Sequence, residues 1–191
     1  MTKLNYFDAL ETLANLISEG ISAADTLSGE SGKRTFKAVK EDCDRIVFSL
    51  EEALFSDFIT PLERDNIAEF AHSLYRVLER AGAVYCGAAA DGIRVPLLLK
   101  RATDLNRRLW AQLTENIELL KRLKKPDSIP DLASFRRLAG EGQSLREEIL
   151  CALKAGKLNS AFSAAAGATD DLRLEIVKCF DKLVEIMLNN I

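Results

Sequence analysis

An all-α bundle is the fold this sequence predicts. Its 191 residues contain only 4 prolines and 10 glycines, too few breaks for a chain of many short strands. Apolar residues recur every three or four positions, and nowhere do they alternate with polar ones over the length of a strand. Helix-start signals stand between the runs. The sharpest is Thr60-Pro61-Leu62-Glu63: threonine as N-cap, proline where its missing N–H costs nothing, and glutamate closing a capping box.

Six helices follow in order. The first spans 6–27, with Asn5 as its cap and Leu10, Leu13, Ala14, Ile17, Ile21 and Ala24 on one face. A loop at 28–32 ends it. The second covers 33–55 and turns Phe36, Val39, Cys43, Ile46, Leu50 and Leu54 inward. The third starts at Pro61 and buries Ile67, Phe70, Leu74, Val77, Ala81 and Val84. Small residues at 87–92 separate it from the fourth, 95–123, where Leu98, Ala102, Leu105, Leu109, Leu113, Ile117 and Leu120 are spaced almost as heptads.

The segment Pro126-Asp127-Ser128-Ile129-Pro130 is a clear break, after which Ser128, with Asp131 three residues on, restarts a fifth helix running to Leu153. Gly140 and Gly142 lie inside it. Each glycine costs roughly 1 kcal/mol against alanine, which predicts a kink or a short interruption. A linker over 154–168 leads to Thr169, the expected cap of the sixth helix, with Asp170 and Asp171 suited to its dipole. The last core face is Leu172, Ile176, Phe180, Leu183, Met187 and Ile191.

Composition narrows the function. A net charge of −3 and a pI near 5.4 give no global reason to bind nucleic acid. No stretch approaches the roughly 20 consecutive apolar residues that span a bilayer, and the first residues lack the apolar core of a signal peptide. Cys43, Cys86, Cys151 and Cys179 form no C-x-x-C pair, so reduced and mostly buried thiols in a cytoplasmic protein are expected. His72 is the only histidine. Without a second one, a nucleophile elbow or a phosphate-cradling glycine loop, catalysis has no candidate machinery.

The order of features around Phe58 carries a resemblance. An acidic helix containing Glu41-Asp42-Cys43-Asp44-Arg45-Ile46 precedes Phe58-x-Thr60-Pro61, which is followed by Arg64-x-x-Ile67 and another helix. Over residues 36–85 this pattern resembles the PhoU-like family of phosphate transport regulators, which accompany Pit-type permeases. The resemblance implies a single six-helix domain built as two pseudo-repeated three-helix halves, about 1–92 and 93–191, with Phe58, Thr60, Pro61, Arg64 and Ile67 as signature residues. It implies a non-enzymatic regulator whose partner is a phosphate permease or another protein, with peripheral membrane association through that partner and homo-oligomers. A helical adaptor that has lost the phosphate role is the alternative.

The family also implies metal held by acids one helical turn apart, a spacing that stacks two carboxylates on one face. Here the matching positions are Lys40 and Asp44, Tyr75 and Glu79, Gly140 and Ser144, and Asp181 and Glu185. Only Asp44, Glu79, Asp181 and Glu185 remain as metal candidates. Hard cations want several oxygen ligands, so no cofactor is expected beyond a weakly held hydrated divalent ion near Asp181 and Glu185. Two basic groups complete the inventory: Lys100, Arg101, Arg107 and Arg108, and then Lys121, Arg122, Lys124 and Lys125. The second group suits a helix C-terminus, or an anionic headgroup or acidic loop of a membrane partner. Trp110, beside the first group, is expected in the core.

Overall fold

Asn5 starts the first helix as its sequence predicts, its Oδ1 accepting from the backbone N–H groups of Phe7 at 3.2 Å and Asp8 at 3.4 Å. The computed structural model describes residues 4–26, 30–88, 95–123 and 130–190. These residues form α1 (Tyr6–Thr26), α2 (Glu30–Ser56), α3 (Arg64–Ala88), α4 (Leu97–Ile117), α5 (Leu132–Lys154) and α6 (Ser163–Asn190). Short 3-10 turns extend α4 over Glu118–Arg122 and precede α6 over Ser160–Phe162. No strand occurs among the described residues.

Several boundaries differ from expectation, each for a local reason. α2 begins at Glu30 rather than at Lys33, because one glycine at position 32 does not stop a helix. α3 begins at Arg64, not Pro61. Thr60 does not cap it: the Thr60 hydroxyl donates instead to the Leu62 carbonyl at 2.6 Å, and the Glu63 carbonyl accepts the first helical bond, from Ile67 N–H at 3.2 Å. The cap of α5 is Asp131, whose carboxylate accepts from Ser134 N–H at 3.0 Å. Ser128 lies outside the described residues, as do 89–94 and 126–129.

α5 runs unbroken through Gly140 and Gly142. Gly142 is a point of close approach, since a Cβ there would lie 2.4 Å from Arg173 Cδ and 3.0 Å from Leu105 Cδ2. Gly156 ends the helix at φ +67°, its N–H donating to Leu153 O at 3.1 Å while Lys157 N–H reaches Ala152 O at 2.9 Å. That pair of bonds is a Schellman closure, which needs a left-handed residue. Thr169 is inside α6 and buried, its hydroxyl bonded back to Ala165 O at 2.7 Å, so it is not the cap. α6 starts two turns earlier because alanines at 164–166 continue the helix without strain.

The helices pack in a repeated pattern. α1, α2 and α3 contact one another, as do α4, α5 and α6, and the two sets meet through α1 against α4 and α3 against α6. The central four helices enclose one continuous core, in which Leu13, Ile17, Leu74, Leu109, Leu113, Ile176 and Leu183 have no or almost no exposure. Apolar burial at this density is the main force holding the bundle together. Trp110 is buried in it, as expected, and its indole N–H donates to Ser18 Oγ at 2.7 Å across α1 and α4. Phe135 and Phe180 stack with ring centroids 3.6 Å apart between α5 and α6. Of the expected face residues, Ala24 and Ile191 have no described side chain, and Phe36, Ile46, Leu98 and Ala102 are half-buried. Among the cysteines, Cys43 and Cys179 are buried and Cys151 is exposed.

Candidate functional site

The signature segment forms the turn between α2 and α3. Its polar residues fold the turn, and Phe58 and Ile59 at its tip face out. The Arg64 guanidinium donates to the carbonyls of Asp57 and Phe58. Tyr6 at the start of α1 donates to Asp57 Oδ2 at 3.0 Å. Burial, then this bond to a carboxylate, pushes the Tyr6 phenol up to about 12. Leu62 and Ile67 enter the core. Phe55, Phe58 and Ile59 are 92%, 93% and 72% exposed. Pro61 is exposed in a bend, where its fixed φ suits a turn.

On the adjoining faces of α2 and α3, Lys40, Asp44 and Tyr75 come together. Tyr75 donates to Asp44 Oδ1, and Lys40 donates to the Tyr75 oxygen while its ammonium lies 3.5 Å from Asp44 Oδ1 and 5.0 Å from the Tyr75 ring centroid. The Tyr75 bond and the Asp44 charge raise the Lys40 pKa against a partial-burial effect of opposite sign. Burial first, then the bond to Asp44, raises that of Tyr75. A protonated lysine and phenol therefore occupy Asp44 across the neutral range.

This arrangement does not fit a metal. Lys40 supplies a positive charge where a cation would sit, and Asp44 has donors on its oxygen. Glu79, one turn from Tyr75, is exposed. In the second half the four positions are not level with one another. Phe135 packs on Phe180 and Gly142 on Arg173, so Gly140 and Ser144 lie beside the first half of α6, while Asp181 and Glu185 lie level with the start of α5. Ser144 bonds its own helix at Gly140 O, 3.3 Å away, and Glu185 pairs with Lys182 at 3.4 Å. Among the described residues no three His, Cys, Asp or Glu side chains are grouped to hold a metal ion.

Three polar features were not legible in the sequence. Glu175 is buried on α6 and accepts from Arg76 Nε of α3 at 2.9 Å, with Lys178 at 3.5 Å. Burial alone would raise its carboxyl, but the Arg76 bond and the Lys178 charge outweigh it and hold it below the usual range. Lys182 reaches Glu69 of α3 at 2.6 Å. At the junction of α4, α5 and α6, Asp170 holds Arg173 and Arg146 on its two oxygens, each at 2.8 Å. Beside that trio is a cavity of about 300 Å³ with Leu105, Leu145, Ile149 and Ala166 in its walls. Their interhelical partners Arg76, Glu69 and Arg146 lie far away in the chain, and no spacing rule announces those, whereas Lys178 and Arg173 stand one helical turn from Glu175 and Asp170.

Three of the four cations of the first basic group, and Lys121 of the second, are paired with acids. Arg101 pairs with Glu148 at 3.2 Å and Arg108 with Glu141 at 3.4 Å across α4 and α5, and Arg107 pairs with Asp104. Lys121 is held by Asp8 at 2.7 Å and by Glu11, which tie the end of α4 to α1. Lys124 and Lys125 lie outside the described residues. His72 stands 3.2 Å from Glu51 on α2, half-exposed. No helix among the described residues is long and apolar enough to cross a membrane.

No family model matches the sequence, and no curated relative does. Solved structures do. The crystal structure of a PhoU-like protein from Shewanella oneidensis MR-1 superposes with a TM-score of 0.73 at 13% identity, covering 96% of each chain. A second, of a PhoU-like phosphate regulatory protein from the same organism, gives 0.71 at 13% identity and again 96% of each chain. Likeness this complete at such low identity reflects a shared arrangement of all six helices, and the chain has the PhoU-like fold.

Proposed function

We propose that this protein regulates or assists inorganic phosphate transport without catalysis, by binding a Pit-type permease or a related partner in the cytoplasm. The observation that carries the reading is the end-to-end match of its fold to proteins described as PhoU-like and phosphate-regulatory. The Phe58-x-Thr60-Pro61 turn agrees with it. Two features support binding over chemistry: Lys40 and Tyr75 occupy Asp44, and the lone histidine pairs with a carboxylate on the surface. The matching contact pattern of α1–α3 and α4–α6 supports two pseudo-repeats, near 1–92 and 93–191. Their like elements meet across the middle of the bundle, which leaves α2 and α5 on the flanks.

Co-purification tests the reading. The full chain, mixed with a Pit-type permease in detergent or nanodiscs, is expected to elute with it as a complex. A folded protein that never associates with the permease, with and without phosphate, would overturn it.

A further inference from the structure

We propose that the apolar end formed by Phe55, Phe58 and Ile59 is a docking surface for a basic, amphipathic segment of a protein partner. It deepens the regulator reading by naming a surface and a partner chemistry. Three large apolar side chains lie within five residues of chain, Phe55 and Phe58 almost fully and Ile59 mostly in water. Phe48, also exposed, precedes Phe55 by two helical turns on the same outward face of α2. Exposed aromatics gathered in one place mark interaction sites far more than scattered ones do.

The turn that carries them is tied down. Arg64 spans the carbonyls of Asp57 and Phe58, Thr60 bonds Leu62 O, and Tyr6 bonds Asp57. These bonds engage the polar groups of the turn and hold its backbone in a shape that turns Phe58 and Ile59 outward. A preorganised display of this kind loses little conformational freedom when a partner covers it.

Charge selects the partner. Residues 51–65 contain Glu51, Glu52, Asp57, Glu63 and Asp65 against Arg64 alone, and Arg64 faces backbone carbonyls. The rim is therefore acidic in a chain whose whole net charge is only −3. An anionic lipid surface would be repelled. A second copy docked face to face would set acid against acid. A segment with apolar residues on one face and Lys or Arg on the other complements both parts of the surface. Cytoplasmic loops of membrane proteins carry such an excess of Lys and Arg.

Fluorescence anisotropy tests this with a labelled helical peptide of leucine and lysine, one face apolar and the other basic, and with its glutamate-for-lysine counterpart. The lysine peptide is expected to bind the full chain and to weaken with added salt. Binding should fall about tenfold or more in Phe58→Ser/Ile59→Ser and in Glu52→Lys/Glu63→Lys, and the glutamate peptide should not bind. All four substituted side chains are exposed, so circular dichroism should show both variants folded. Equal binding by the parent and both variants would overturn the proposal. So would preferential sedimentation with phosphatidylglycerol vesicles, or self-association lost in Phe58→Ser/Ile59→Ser with no peptide bound. Permease binding that survives in both variants sinks this surface and leaves the regulator reading intact. Peptide binding without permease binding does the reverse.

Discussion

Glu175 shows what a single residue contributes here and how its contribution depends on pH. Its carboxylate is buried between α6 and α3 and held below the usual range, with the Arg76 bond and Lys178 overcoming the burial penalty. A carboxyl depressed in the folded state binds protons more readily in the unfolded state. Its stabilisation is therefore present above the unfolded pKa and is lost as pH falls through the folded one. The difference in unfolding free energy between parent and Arg76→Ala should be largest near neutral pH, about 1–3 kcal/mol, and should shrink as the medium is taken below the ordinary carboxylate range. A constant difference from neutral to acid pH would show that Arg76 acts through packing alone. Legibility at this scale followed distance along the chain. Lys40 one turn from Asp44 could be read as an ion pair, and it is one. Arg76 and Glu175, 99 residues apart, could not.

At the scale of elements, the core faces were plain in the sequence and the boundaries were not. Periodicity places Ile67, Phe70, Leu74, Val77, Ala81 and Val84 of α3 in the core, and all six are buried. The same helix starts three residues later than its capping-box pattern indicates, because that pattern competes with a turn in which Thr60 bonds Leu62. Thr169 misleads in the same way, since a buried threonine bonding back to the preceding turn looks like a cap in sequence. The two glycines of α5 differ in a way that only packing reveals. A Cβ at Gly140 would meet nothing within 4 Å, whereas at Gly142 it would collide with Arg173 and Leu105. Gly140→Ala should therefore stabilise the protein by about 0.5–1 kcal/mol through helix propensity. Gly142→Ala should destabilise it by about 1–3 kcal/mol through overpacking. Urea unfolding of the two variants checks the pair, and equal effects of the same sign would contradict the close packing of α5 on α6.

For the whole molecule, the six-helix architecture was legible because few breaks and an unbroken helical period leave one fold class. The second-half site was not. The register of α5 against α6 follows from Phe135 on Phe180 and Gly142 on Arg173, and helix order alone does not specify it. This bundle shows exposed aromatic residues on a hydrogen-bonded turn at one end and has Asp44 bonded by Tyr75 and Lys40 at its flank. Both favour a protein that works by being bound. The measurement that tests this most directly is phosphate uptake in cells lacking the gene, complemented with the parent chain, with Phe58→Ser/Ile59→Ser, or with an empty vector. Deletion is predicted to change the rate of uptake through the Pit-type permease, the parent chain to restore it, and the variant to fail despite normal abundance and folding. Uptake that is the same in all of these strains would contradict the account.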